Sequence, residues 1–204
     1  MNIYDRRVLP YLIDLAMRYK EVTRYRGRVV PQARDTVLEI GVGSGLNLPF
    51  YGPSVRRVLA LDPSPQLLRM AKQRAARVAF PVDFLADSGE EIPLPDRSVD
   101  TVVSTWTLCS IPDPERALGE IRRVLKPDGV FLFAEHGLAP DARVVVWQRR
   151  LNPLWGRIAG GCHLDRKMDD LVRAGGFRLE QIDTGYARGP RPMSYMYVGC
   201  ARPE

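Results

Sequence analysis

The chain has 204 residues, 45% of them hydrophobic, and a net charge of +6, which is enough for one domain with a sizeable core. Three scattered cysteines, Cys109, Cys162 and Cys200, exclude a disulfide framework and point to a reducing cytoplasm. The most apolar N-terminal run, VLPYLIDLAM, is broken by Pro10 and Asp14 and is too short to cross a bilayer, and no signal peptide is expected.

The charge is unevenly placed. Residues 1–34 carry eight Arg or Lys against three acids, so they hold +5 of the +6 and leave the rest of the chain nearly neutral. Without a basic patch interleaved with aromatics elsewhere, nucleic acid is not the expected partner. Tyr4, Leu9, Tyr11, Leu12, Leu15, Ala16 and Tyr19 fit one side of a helix. Residues 1–35 are therefore read as a basic helical lid. A weak membrane-surface contact through residues 1–34 and a merely solvated face stay open as alternatives.

Val37, Leu38 and Ile40 read as a buried strand that runs into Gly41, Gly43 and Gly45, with one or two helical turns over residues 44–51. A second strand follows at Val58–Leu61. Ser64 and Pro65 then open a helix with apolar positions Leu67, Leu68, Ala71, Ala75 and Val78. Val82–Ala86 and Val99–Ser104 are the third and fourth strands. Asp113-Pro114 opens a helix with its apolar face on Ala117, Leu118, Ile121, Val124 and Leu125, which Lys126-Pro127-Asp128-Gly129 should stop. Val130–Ala134 is the fifth strand. Helical patterns over 141–160 and 165–174 come next, and then two strands, Phe177–Tyr186 and Met193–Cys200, joined as a hairpin. Alternation of this kind predicts an α/β fold, a mostly parallel sheet of seven strands with helices on both faces and a C-terminal antiparallel strand.

A glycine turn after a first strand offers backbone N–H groups to a ligand. The dinucleotide fingerprint needs its third glycine one position later, where Leu46 stands, and no Lys-Ser/Thr follows to make a phosphate loop. A ligand with ribose and adenine but no phosphate, S-adenosylmethionine (SAM), meets both objections. Ligands in open α/β sheets bind beyond the carboxyl ends of the strands. Asp62, about twenty residues after the first glycine, is placed to hold ribose hydroxyls. Asp87 and Ser88 can accept from an adenine amino group, and Ser44, Asn47, Pro63, Ser64, Thr105 and Trp106 complete the expected cofactor set.

The successive stretches VLEIGVGSG, LALDPS, ADSGEEIPLPDRSVDTVV and IRRVLKPDGVFLF resemble the motifs of class I SAM-dependent methyltransferases over roughly residues 36–135. The resemblance implies a Rossmann-like methyltransferase domain over residues 36–204. It also implies that Glu39, Gly41, Gly43 and Gly45 shape the methionine side of the cofactor pocket, with Asp62 on ribose and Asp87 and Ser88 about adenine. TWTLCSIPD, FAEHG, WQRRLNPLW and GGCHL are similar to soluble bacterial relatives of the animal microsomal thiol methyltransferases. That narrower likeness implies a small thiol or sulfide as methyl acceptor. A phospholipid amine, a quinone-type carbon, or cofactor binding without catalysis are the competing readings.

Methyl transfer from a sulfonium is an in-line displacement and requires no metal. A thiol reacts as thiolate, so a base is useful. The chain has two histidines, His136 and His163, and both fall on the expected acceptor side, with Glu135 beside the first and Cys109 nearby. These four are the candidate catalytic residues. A Cys/His metal site built from Cys109, His136, Cys162 and His163 lacks tight ligand spacing, so no metal is expected. The oligomeric state is left open.

Overall fold

The computed structural model describes Tyr4 and residues 8–204; residues 1–3 and 5–7 of the predicted lid, Arg6 and Arg7 among them, lie outside the described residues. Seven strands form one sheet: β1 (Asp35–Ile40), β2 (Val55–Leu61), β3 (Val82–Leu85), β4 (Val99–Thr105), β5 (Leu125–His136), β6 (Phe177–Tyr186) and β7 (Tyr195–Pro203). Their order is β3-β2-β1-β4-β5-β7-β6. β7 runs antiparallel to both β5 and β6. The last strand is thus inserted between its neighbours, and β6 forms the edge.

Period-two alternation sends successive side chains to opposite faces of a strand, and here both faces are covered. Leu38, Ile40, Val102, Phe131 and Phe133 pack with Leu118 and Ile121 of α4 (Pro114–Val124) and with Met168 and Val172 of α6 (Met168–Ala174). Val37, Val103 and Leu132 pack on the other side with Val29 of α2 (Lys20–Val29) and with Leu68 and Ala71 of α3 (Pro65–Ala75). Two further helices, α1 (Leu9–Met17) and α5 (Ala142–Ile158), lie toward the carboxyl end of the sheet, where a Cβ at Gly160 would stand 3.4 Å from Leu9 and 3.7 Å from Ile13.

Capping follows the sequence: Ser64 Oγ accepts from Leu67 N, and Asp113 Oδ1 from Arg116 N. Three of the departures from the expected boundaries have a local cause. Residues 44–51 make only a 3₁₀ turn at Leu48–Phe50, because Pro49 brings no N–H to extend a helix. Lys126-Pro127-Asp128-Gly129 does not separate α4 from β5; it lies inside the twelve-residue strand, where the register shifts opposite Val99 and Thr101. The helix expected from residue 165 starts at Met168, since the Arg166 carbonyl is already taken by Leu138 N. Strand order reverses at β1, which pairs with β2 on one side and β4 on the other. A ligand crevice belongs beyond the ends of those strands.

Candidate active site

A cavity of about 630 Å³ occupies that position. The three glycines of the turn have separate tasks. All are left-handed, with φ of 65°, 55° and 82°. A Cβ at Gly41 would stand 2.2 Å from Thr107 Oγ1, and one at Gly45 would stand 3.0 Å from Ala71 Cα of α3. Those two positions are small so that the β4 turn and α3 can close on the loop. Only Gly43 looks into open space, with nothing nearer to its Cβ position than 3.9 Å. Gly41 and Gly43 line the cavity, as do Ser44, Asn47, Pro63, Ser64, Asp87, Ser88, Thr105 and Trp106; Gly45 does not.

Asp62 is 6% exposed at the end of β2. Its Oδ2 accepts from Gly43 N at 2.9 Å and its Oδ1 from Ser64 N at 2.8 Å, so one carboxylate ties the glycine turn to the start of α3. Burial pushes its pKa up, against these two amide hydrogen bonds. Glu39 is wholly buried at the end of β1, where it accepts from Tyr51 Oη at 2.8 Å and from Asn47 Nδ2 at 2.9 Å. Burial raises its pKa to about 7, although the Tyr51 and Asn47 hydrogen bonds and the charge of Arg26 act the other way. Trp106 stands at the end of β4 with φ 52°, an unusual backbone for a bulky residue. Its ring meets Tyr25 edge-on at 6.1 Å and lies 5.4 Å from the Arg26 guanidinium.

Arg26 was not singled out by the sequence, where it counted as one of eight basic residues. It is 4% exposed, lines the cavity and donates Nη1 to Met17 O at 2.7 Å. Burial lowers its pKa to about 10 against the pull of Glu39. The signal was available: Arg26 precedes the fully buried Val29 and Val30 by three and four residues, so it sits on the apolar face of α2. Arg26 Nε and Asn47 Oδ1 are buried without a partner among the described residues. An orphan donor and an orphan acceptor on residues lining one cavity suit a zwitterion, and the methionine part of SAM carries a carboxylate and an ammonium. With Asp62 available to ribose hydroxyls and an open backbone at Gly43, these residues fit that cofactor.

α1 roofs the cavity through Leu9, Pro10, Ile13 and Met17. The lining is completed by the turn after β4, with Thr107, Ser110, Ile111 and Pro112, by the last turn of α5, with Gly156 and Arg157, and by Gly160 and Gly161 just after it.

The four candidate catalytic residues do not line the cavity. Glu135 is fully buried, accepting from Ser104 Oγ at 2.7 Å and from the amides of Thr107, Leu108 and Cys109 at 3.0, 3.2 and 3.4 Å. It shapes the turn after β4, and its carboxylate is turned to those donors rather than to the cavity. His163 faces solvent with half its side chain, its Nδ1 3.3 Å from Asn152 Nδ2. His136 is buried behind the cavity wall, its Nε2 2.9 Å from Cys162 Sγ. Cys109 lies beside them, with 3.8 Å between the two sulfurs. Hydrogen bonding from Cys109, opposed by burial and reinforced by His136 and Trp155, holds the Cys162 thiol below its usual range.

Fold and site together define an α/β transferase built around an adenosyl-amino-acid pocket. A family model described as "Methyltransferase domain" matches residues 38–133. The thiol S-methyltransferase TMT1B of Rattus norvegicus is 33% identical over 204 residues, covering 93% of this chain and 82% of the rat protein. The human thiol S-methyltransferase TMT1A is 38% identical over 141 residues, covering 67% of this chain and 57% of the human one. Among solved structures, a SAM-dependent methyltransferase of Thermotoga maritima, described as a possible histamine N-methyltransferase, superposes with a TM-score of 0.71 at 22% identity, covering 99% and 98% of the two chains. The chain belongs to the class I SAM-dependent methyltransferases, and its cofactor is SAM.

Proposed function

We propose that the protein transfers the methyl group of SAM to the sulfur of a small thiol or of sulfide. The observation that carries this reading is the distribution of charge in the cavity. Among the described residues its three lining carboxylates, Glu39, Asp62 and Asp87, all stand on the β1–β2–β3 side. The side toward β4 and the roof is walled mainly by Leu9, Ile13, Met17, Ile111 and Pro112, with Arg26 and Arg157 as its charged members. Among the described residues, an acceptor there meets no lining carboxylate to take its proton. A thiol ionises by itself near pH ~8.5, and a cation such as Arg157 favours the thiolate. The names of the 33% and 38% identical relatives support the same acceptor class.

SAM supplies an activated methyl group on a sulfonium. The protein's part is to orient. Arg26 is placed to bind the methionine carboxylate, Asn47 and Glu39 to hold the ammonium, and Asp62 to fix the ribose. Trp106 and the α1 roof exclude water from the line of attack, and much of the rate gain of a two-reactant displacement comes from such alignment.

A second reading rests on a separate observation. Tyr11, Leu12 and Leu15 on α1, Tyr19 between α1 and α2, and Trp147, Leu154 and Ile158 on α5 are exposed apolar residues around the cavity mouth. Lys20, Arg149, Arg150 and Arg157 lie within or beside them. Such a surface suits an anionic membrane face, from which a lipid amine or a quinone-type acceptor could enter. No helix among the described residues is long and apolar enough to cross a membrane.

The deciding experiment incubates the protein with SAM and, in turn, sulfide, a small alkane thiol, dithiothreitol and phosphatidylethanolamine vesicles, following S-adenosylhomocysteine and the methylated product by mass spectrometry. Methyl thioether formed from the thiols supports the proposal. Turnover with the lipid and none with any thiol overturns it.

A further inference from the structure

We propose that Cys109, His136 and Cys162 form a binding site for a thiophilic metal ion of the zinc class, with one coordination position left open. The three side chains come from separate parts of the chain: the turn after β4, the end of β5 and the turn between α5 and α6. Their donor atoms all lie within 4.8 Å of one another, and all three residues are buried.

The geometry favours coordination over other uses of two thiols and an imidazole. Zinc–sulfur bonds of about 2.3 Å in a tetrahedron put the two sulfurs roughly 3.8 Å apart. The observed separation of Cys109 Sγ and Cys162 Sγ is 3.8 Å. A disulfide would need that distance to fall to about 2.05 Å. His136 Nε2 stands 2.9 Å from Cys162 Sγ, a hydrogen-bond distance, so the ring must withdraw by roughly half an ångström to share an ion with that sulfur.

The scaffold is held from outside the cluster, as metal sites require. Glu135 Oε2 accepts from Cys109 N at 3.4 Å, and Cys109 O accepts from His163 N at 2.8 Å. Arg166 Nη1 donates to the carbonyls of Leu108 and Ile111 on either side of that turn. His136 is fixed by pairing with Met196 on β7. Cys162 follows the left-handed Gly160 and Gly161, and its sulfur receives the Trp155 indole N–H at 3.3 Å. Charge also balances: each thiol releases its proton to solvent on coordination, and two thiolates with a neutral imidazole neutralise a divalent ion. Two cysteines and one histidine with a vacant fourth position form an open donor set, of the kind that structural four-ligand sites lack. Ser110 and Gly161, the chain neighbours of the two cysteines, line the cavity, so the cluster lies directly behind its wall. The proposal holds whichever acceptor the enzyme uses.

The test uses the whole protein, reduced, chelator-stripped and titrated with Zn²⁺ in competition with a chromogenic chelator, and separately with Co²⁺. One ion per chain, with thiolate-to-Co²⁺ charge-transfer absorption, is the expected result. Zn²⁺ should also protect two thiols of the folded wild type from alkylation, mapped by mass spectrometry to Cys109 and Cys162, while Cys200 stays reactive. Cys162→Ser and His136→Ala should weaken binding by more than the roughly 10 to 100-fold that changes outside the ligand set cost. Cys200→Ser should bind as wild type does. Substoichiometric binding, an absent charge-transfer band, or equal alkylation of all three cysteines with and without Zn²⁺ overturns the site, and these wild-type readouts decide even where a variant fails to fold.

Discussion

The Asp14 carboxylate on α1 receives Arg74 Nη2 of α3 at 3.0 Å, and the same guanidinium donates through Nη1 to the carbonyl of Ser44 in the glycine turn. Asp14 also accepts from Arg18 at 2.5 Å and is nearly buried. Burial pushes its carboxyl up, but Ser44, Arg74 and Arg18 outweigh that and hold it below the ordinary carboxylate range. One buried carboxylate thus connects the cavity roof to the glycine loop on the cavity wall. Asp14→Asn should loosen α1 by roughly 1–3 kcal/mol, the scale of hydrogen bonds made to a charged group, reduced because Arg18 is half exposed. Hydrogen exchange reads this out: wild-type amides over residues 9–17 slow when S-adenosylhomocysteine binds, and the variant's slow less. Equal exchange with and without ligand in the wild type would defeat the lid role.

Asp62→Ala should weaken S-adenosylhomocysteine binding by roughly 1.5–3 kcal/mol through loss of a charge-assisted ribose hydrogen bond. It should also lower the melting temperature, because the amides of Gly43 and Ser64 lose their acceptor. Calorimetry on the folded variant separates the two effects; unchanged affinity there removes Asp62 from the ribose site.

Glu39 makes the stability of the cofactor-free protein fall as pH rises. Its folded-state pKa of about 7 lies above its ordinary value of 4.5, so between these values the native state keeps a proton that the unfolded chain has lost. The contribution is full below pH 4.5 and gone above about 7, and amounts to about 3 kcal/mol. Urea unfolding at a series of pH values should show this decline in wild type and a flatter profile in Glu39→Gln. Parallel profiles for the two proteins would show that Glu39 is not the group responsible.

With no histidine on the cavity wall, the acceptor's own acidity should set the pH dependence of turnover. The rate should climb toward the thiol's ionisation near ~8.5 and shift downward with a more acidic thiol. His163→Ala should leave both rate and profile as they are. A profile that stays fixed while the acceptor's acidity changes would assign the titration to a protein base and refute this account.

The apolar skin on α1 and α5 should bind anionic vesicles more strongly than neutral ones, and less at high salt. Replacing Leu12 and Leu15, or Trp147, with Glu should abolish cosedimentation. Wild-type protein that ignores anionic vesicles sinks the membrane-surface reading.

The sequence by itself determined the strand ends and hence the residues that line the cavity at β1, β2 and β4. Glu39, Gly43, Asp62 and Trp106 were legible because a parallel α/β sheet delivers strand termini to one edge, so position along the chain becomes position in the crevice. Tertiary structure decided everything that depends on which face a residue shows or which distant turn it meets. Arg26 looked like one charge among many until the packing of α2 turned it inward against Trp106. Glu135 and His136, adjacent on β5, point to opposite faces, one onto the turn after β4 and the other to Cys162. Cys109 and Cys162 are far apart in sequence, and their 3.8 Å approach exists only because the turn after α5 folds back over the end of β4. Ligand spacing along a chain reveals a site when the donors share one element; donors brought together from three elements become visible only once those elements have packed.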